Sequence, residues 1–413
     1  MTPIHVGRSV RVTRSETMSM KSGTFVLAAG TALLLALTAC GDDNTASSES
    51  SSDQTFTGVP VTVMTIAPVD TAAINQPEIH ESAKAAVATI NAAGGLGGHE
   101  VKLITCNDGN DTNKAADCAR RAVSEKAVAV LGGFTTNGAT INPILEDAGI
   151  PWIGAPGFSA NELGDKNSYL LLAGGTSFAG IAAKAVKDGC STISTVQYDS
   201  PATGHSTDLI NLGIRNAGGQ PANVIKVPTT TTDFTSVAKS AGESDCAILG
   251  LPNDQVVAVA KAGESVGVDT RYYPLTGALN ETVLSQAGEA MAGATSASNF
   301  VVASDPAWDA AKSASDDVDW TGVYNQDTWA SYQVLADVMR GHTDITAATV
   351  TQAMEGAKEI NAGGLMAPVD FTVEFTAPEL NRVFNRNVVY TTVEDGKIVQ
   401  DGGFEDLSPL FVQ

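Results

Sequence analysis

The sequence predicts an α/β protein built from two doubly wound parallel-sheet units. Three observations carry that prediction. Short β-branched runs alternate with segments whose apolar residues recur at helical spacing. Some runs, such as residues 127–131, are apolar throughout, as strands covered on both faces are. The alternation fills residues 59–154 and resumes over 191–303 with the same architecture and no residue-level repeat, which points to two sheets with helices on both faces.

In chain order, residues 59–67 read as a strand and 68–77 as a loop. Ile79, Ala83, Ala86, Val87 and Ile90 then mark one face of a helix, which Gly94-Gly95 ends. A strand at 99–106, a helix at 111–126, a strand at 127–131, a helix at 137–148 and a strand at 151–154 complete the first unit. The second unit has strands at 191–198, 223–227, 246–251, 272–277 and 299–303, with helices at 203–217, 234–241, 255–266 and 281–287. Helices at 307–315, 327–340 and 346–357 follow one another. Extended segments at 369–375 and 382–393 come last, and Glu394-Asp395-Gly396-Lys397 turns the chain into Ile398-Val399.

Ahead of these elements lies an apolar run, residues 25–37, preceded by Arg8, Arg11, Arg14 and Lys21. It is shorter than the ~20 residues a spanning helix needs and reads as a secretory signal. Leu37-Thr38-Ala39-Cys40 resembles a bacterial lipobox, which implies a lipid on the Cys40 thiol and cleavage after residue 39. Met18 and Met20 are alternative initiators. Residues 40–56, Ser-rich and acidic, read as a solvated tether. The expected location is the extracytoplasmic face of the cell membrane, held by lipid alone.

The chain has 413 residues, which suits two domains rather than one small core. Its 46 Asp and Glu against 24 Lys and Arg give a net charge of −22, a surface that repels nucleic acid and anionic membrane. With Cys40 set aside, four of the five cysteines remain, an even number in an exported chain. Cys106 and Cys118 are close in sequence. Cys190 and Cys246 each precede a strand-like run, and parallel neighbouring strands would bring them together. The expected pairs are Cys106–Cys118 and Cys190–Cys246. A metal site would need paired CxxC or nearby His ligands, which are missing. No metal or cofactor is expected.

Enzyme-like strings fail on context. Gly263-Glu264-Ser265-Val266-Gly267 fits GxSxG but ends a helix, whereas a nucleophile elbow joins a strand to a helix. Gly94-Gly95-Leu96-Gly97-Gly98 follows a helix, not the strand a dinucleotide fingerprint requires. Gly133-Phe134-Thr135-Thr136-Asn137-Gly138 follows a strand and opens a helix but lacks the Lys of a phosphate loop. The expectation is a binding protein and no enzyme. Ligands of open parallel sheets bind beyond the C-terminal strand ends, here loops 67–70, 132–137, 154–158, 199–205, 251–253 and 277–280. The candidate ligand residues are Asp70, Thr135, Thr136, Asn137, Ala155, Tyr198, Asp199, Asn253 and Gly277. Thr135, Thr136 and Asn137 would open a helix, a position that favours a carboxylate.

Ile90-Asn91-Ala92-Ala93-Gly94-Gly95-Leu96-Gly97-Gly98, then Asp108, residues 128–133 and Ile150-Pro151-Trp152-Ile153-Gly154 resemble the first lobe of type I periplasmic solute-binding proteins. The likeness is to the leucine/isoleucine/valine-binding branch that serves ABC importers. It covers roughly 58–400 and is strongest over 86–155. The resemblance implies two lobes joined by three chain crossings, a ligand in the cleft and closure by hinge motion. It implies lobe one at 57–174 and 304–362, and lobe two at 175–303 and 363–413. It implies a monomer that hands a small organic solute, a branched-chain amino acid or a related amide or carboxylate, to a permease. The chain departs from the pattern in three places. Loop 67–70 has no Gly, Thr203 stands where an aromatic is frequent, and Thr276, with Glu281 five residues on, stands near the usual acidic clamp for an ammonium group. Asp70 or Asp199 could replace that clamp. The alternatives are a secreted α/β enzyme, and a ligand-sensing receptor, which would need a transmembrane helix and a signalling domain.

Overall fold

The computed structural model describes residues 55–71, 74–199, 203–377 and 379–412. The signal segment, Cys40 and the tether up to residue 54 lie outside the described residues. The β-branched run that opens the ordered chain is β1 (Val61–Ala67), buried along most of its length. It is followed by α1 (Pro77–Ala92), β2 (Val101–Asn107), α2 (Thr112–Ser124), β3 (Ala129–Leu131), α3 (Gly138–Asp147), β4 (Trp152–Ile153), α4 (Ala160–Gly164) and β5 (Ser168–Tyr169). These strands form one parallel sheet of order β2-β1-β3-β4-β5. The apolar stripe of α1 packs on one face. Cys118, Ala119 and Ala122 of α2, with Ile141 and Leu145 of α3, cover the other.

The second set is α5 (Thr176–Lys187), β6 (Ile193–Tyr198), α6 (Thr203–Asn216), β7 (Asn223–Val227), α7 (Thr235–Ala241), β8 (Cys246–Gly250), α8 (Asn253–Val266), β9 (Arg271–Pro274) and α9 (Glu281–Ala287). Its strands form a parallel sheet of order β7-β6-β8-β9. Next come β10 (Thr295–Ser298), α10 (Asp309–Ala314), α11 (Val323–Val338), α12 (Ala347–Gly356), β11 (Asn387–Glu394) and β12 (Lys397–Asp406). The last three strands form an antiparallel sheet of order β10-β11-β12. Trp329, Val334 and Leu335 of α11 pack on the first sheet's core, while Val388 and Tyr390 of β11 pack on the second's.

The chain therefore passes between the two cores three times, near residues 170–175, 299–306 and 384–387. Asn385, fully buried, ties these crossings together: its Nδ2 donates to Leu171 O at 2.9 Å and lies 3.5 Å from Asn299 O. Residues 365–384 supply Leu365, Phe371 and Phe384 to the first sheet's core. Cys106 is joined to Cys118 and Cys190 to Cys246, with Cα separations of 5.8 and 5.9 Å. The second pair arises as the parallel-neighbour argument requires, since β6 lies beside β8 with Ile193 opposite Cys246.

Several element boundaries differ from the expected ones. The strand expected at 299–303 is Thr295–Ser298, because antiparallel pairing with β11, not an apolar run, makes it a strand. Phe300 and Val301 are buried as part of a crossing instead. Residues 369–375 are loop, with one bridge between Ile360 and Val369, and bury Phe371 and Phe375 as anchors. Helix α11 starts at Val323, four residues before the expected 327. Strand β12 runs on to Asp406, and α5 fills a stretch where the sequence reading placed no element. Among the described residues no helix is long and apolar enough to cross a membrane.

Candidate functional site

Both parallel sheets reverse their strand order at an inner strand, between β1 and β3 in the first and between β6 and β8 in the second. A crevice opens beyond the C-terminal strand ends at such a switch point. Here the crevices meet in one cavity of about 740 Å³, within the range of small-molecule sites. From the first sheet's side its wall holds Ile74–Glu78, ahead of and opening α1, and Phe134, just after β3. From the second it holds Tyr198, residues 250–253, residues 275–278, Asn280 and Thr282. Asp319 and Gly322–Asn325 close the remaining side.

Local backbone chemistry sets these positions. Asn107 at the end of β2 holds loop 68–76 by accepting from Val69 N at 2.9 Å and donating to Val69 O at 2.8 Å. Gly133 has φ +102°, and a Cβ there would lie 2.4 Å from Ile66 O, so only Gly lets β3 turn this close to β1. The next residue, Phe134, is thereby delivered to the cavity, with its N–H on Ile66 O at 3.0 Å. Its ring meets Tyr324 at 4.7 Å and Phe158 at 5.4 Å, both edge-on. Gly277, at φ +85°, brings the β9–α9 loop against Val323.

A second cavity of about 360 Å³ adjoins the first and shares Thr276, Val323 and Tyr324 with it. Its other walls include Phe158, Leu163, Leu172, Phe178 and Leu209, with His205 at the opening turn of α6. The fully buried Asn299 also lines it, and its Oδ1 has no hydrogen-bond partner among the described residues.

In the larger cavity the ionisable groups are the Glu78 and Asp319 carboxyls and the Tyr198 and Tyr324 phenols. Glu78 Oε2 accepts from Asp319 N at 2.8 Å and from Asn325 Nδ2 at 3.0 Å. Asp319 Oδ1 accepts from Thr321 N at 2.8 Å and Thr321 Oγ1 at 2.5 Å, a turn that launches α11. Burial, helped by the Asp327 and Glu162 carboxyls, holds the Tyr324 phenol above its ordinary range. Burial alone pushes the Asp327 carboxyl well above the usual carboxylate range. No group of three or more His, Cys, Asp or Glu among the described residues could hold a metal ion.

The sequence matches the profile of a periplasmic binding protein over residues 70–397. The chain belongs to that family. A search of curated proteins gave no match. Among solved structures, this periplasmic binding protein resembles a leucine-binding protein LivK from Thermotoga maritima, at 17% identity and a TM-score of 0.65 over 83% of this chain and 98% of that one. The branched-chain amino acid transporter substrate-binding protein LivJ from Streptococcus pneumoniae, in complex with isoleucine, gives 16% identity and a TM-score of 0.66 over 83% and 100%. An ABC transporter solute-binding protein from R. palustris, in complex with benzoate, gives 18% and 0.64 over 83% and 96%. Identities this low establish a shared fold.

Of the residues singled out from sequence, Tyr198, Asn253 and Gly277 line the larger cavity of this periplasmic binding protein. The other six line neither cleft cavity. Asp70 is exposed at φ +57°, its N–H on Asn75 Oδ1. Thr135 is fully buried and donates to Asp108 Oδ2 at 2.5 Å. Asn137 accepts from Thr112 Oγ1 at 2.9 Å, Thr136 is exposed, and Ala155 is buried. Asp199 is exposed and pairs with Lys226 at 3.3 Å. The first residue of α3, Gly138, is so close to Glu162 that a Cβ there would lie 2.1 Å from its carboxylate. The helix start expected to receive a ligand carboxylate thus has a carboxyl of the protein against it. Burial raises that carboxyl's pKa although Ser159 and two backbone N–H groups donate to it.

Sequence reasoning missed Phe134, Glu78, Asp319, Tyr324 and Asn325. A usable signal existed for the last three. Asp319-Trp320-Thr321-Gly322 is an Asp-led turn of the kind that precedes a helix. The Ser of the GxSxG string, Ser265, lies near the end of α8 and donates to Ala262 O, as an ordinary helical serine does.

Proposed function

We propose that this protein is the solute-capturing component of an ABC importer. It binds one small organic molecule between its two parallel sheets and presents it to a permease as a monomer. In this reading the lipid on Cys40 holds it on the extracytoplasmic face of the membrane and residues 41–56 act as the tether. Two lobes close on the solute by rotation about the three crossings. Lobe one is residues 57–174 and 304–362, and we add 365–384 to it, since that segment packs on the first sheet. Lobe two is 175–303 with the remainder of the C-terminal part.

The observation that carries the reading is the cavity of about 740 Å³ walled by strand-end loops of both sheets. A ligand held from both sides stabilises the closed form by its differential affinity for it. Relatives of the same fold hold isoleucine and benzoate, which sets the size class of the solute. A thermal-shift screen against small metabolites, followed by calorimetry, tests this. A true ligand raises the melting temperature by mass action, and Tyr324→Ala and Asn253→Ala weaken it by about tenfold or more. A ligand whose affinity ignores both variants would place binding outside the cleft.

A further inference from the structure

We infer that the cleft takes an amphipathic amine, a solute with an N–H-bearing cationic head, an apolar body and no carboxylate. The inference rests on the reading of the cleft as a solute site.

Four observations converge. The two fixed charges on the larger cavity, Glu78 and Asp319, are both carboxylates, held side by side by the Asp319 N–H on Glu78 Oε2. Glu78 Oε1 and Asp319 Oδ2 make no hydrogen bond to the described residues, and neither side chain takes part in an ion pair there. Among the described residues no Lys or Arg lines either cleft cavity, and His205 is the sole basic side chain on their walls. A ligand carboxylate would therefore meet two like charges and no fixed cation. Asn325 is 5% exposed and lines the same cavity. Its Nδ2 is engaged by Glu78 and Asp319 O, which leaves Oδ1 without a partner. A buried acceptor of this kind calls for a donor. Finally, Phe134, Tyr198 and Tyr324 put three aromatic rings on the wall of the same space, groups that attract a cation.

Glu78 lies in the first turn of α1, and Asp319 precedes α11, so each also offsets the positive end of a helix. That accounts for their placement and not for the orphaned Asn325 acceptor. An ammonium or amidinium head supplies the missing donors and charge together. The second cavity, with its Leu and Phe walls, continues past Thr276 and Tyr324 and suits the apolar body.

The test is calorimetry on the intact protein with phenethylamine, its N-trimethyl derivative, phenethyl alcohol, 3-phenylpropionate and leucine. Phenethylamine is expected to bind at least about tenfold more tightly than the alcohol, and the two carboxylates more weakly still. The trimethyl derivative, with no N–H for Asn325, falls below the primary amine. Glu78→Gln lowers amine affinity by about tenfold and alcohol affinity by about twofold at most, and Asp319→Asn does the same if Glu78→Gln folds poorly. A preference for 3-phenylpropionate or leucine over the amine, or full amine affinity in both variants, overturns the inference. A carboxylate preference still lost on Tyr324→Ala would leave the cleft reading intact. Binding of any probe that ignores Tyr324→Ala and Asn253→Ala would sink the cleft reading itself.

Discussion

Of the helix starts near the cleft, those of α3 and α11 differ in where their polar groups lie. At the start of α3, Thr135 donates to Asp108, Asn137 accepts from Thr112 and the Glu162 carboxyl lies against Gly138; Asn137 Nδ2 and Glu162 Oε1 have no partner among the described residues, but neither residue lines a cleft cavity. At the start of α11, Asn325 Oδ1 has no partner among the described residues, and Glu78 and Asp319 line the cavity, each with one carboxylate oxygen that makes no hydrogen bond to the described residues. Both sites have helix-start chemistry in the sequence. What separates the two is where the polar groups left open after folding lie, on a cavity wall at α11 and away from both cleft cavities at α3.

The largest effect expected from this contrast is on stability. Thr135→Val would leave the buried Asp108 carboxyl without its hydroxyl donor and lower the unfolding free energy by about 2–3 kcal/mol. Ligand affinity should barely move. Urea denaturation with parallel calorimetry checks both, and a large affinity loss at unchanged stability would reverse the roles given to the two helix starts.

Asn325→Ala should behave in the opposite sense. We expect affinity for the cleft ligand to fall by about tenfold, equal to 1.4 kcal/mol, with a stability loss of about 1 kcal/mol from its bonds to Glu78 and Asp319 O. Isothermal titration decides this; wild-type affinity would remove Asn325 from the site.

A smaller effect comes from a group engaged on both sides far from the cleft. His99 Nδ1 lies 2.6 Å from Val59 O and Nε2 lies 3.0 Å from Thr343 O. Two carbonyls can only accept, so both ring nitrogens must donate, which favours the imidazolium. These bonds, Val59 first, and the nearby Asp344 raise its pKa above the usual 6.5. A raised folded-state pKa gives stability that is complete below about 6.5 and lost as pH rises through the folded value. Stability should therefore decline modestly as pH rises above about 6.5, less so in His99→Gln, as thermal melts on both sides of that pH would reveal. The ring is only partly buried, so solvent screening keeps the effect small.

The smallest effect belongs to Thr136→Ala. The residue is exposed and lines neither cleft cavity, so stability should stay within about 0.5 kcal/mol and affinity should be unchanged. A tenfold loss of binding would restore the α3 helix start as the ligand's partner.

The sequence made the framework legible because strands and helices announce themselves by period. Residues 127–131 were apolar enough to be read as a buried inner strand. The disulfide partners followed once β6 and β8 were taken as neighbours. The cleft was legible only as a set of loops. Phe134 sits beside two glycines whose close approach to Ile66 O and Thr328 is a tertiary fact. Tyr324 and Asn325 lie in a first helical turn with no apolar period, so the periodic reading began α11 at 327 and left them in the preceding loop. Thr135 and Asn137 have the chemistry of a ligand site, and nothing local in the sequence reveals that Asp108 and Thr112 engage them first. The lipobox at Cys40 and the signal segment, read from motif alone, lie outside the described residues.

The most direct measurement of the central claim is a crystal structure of the protein with a solute recovered from the thermal-shift screen. The account predicts one molecule between Phe134, Tyr198 and Tyr324, within hydrogen-bond distance of Asn325 Oδ1 and in contact with residues 250–253 across the cleft. A molecule seated at the start of α3, on Thr136 and Asn137, or outside the cleft between the two parallel sheets, would contradict it.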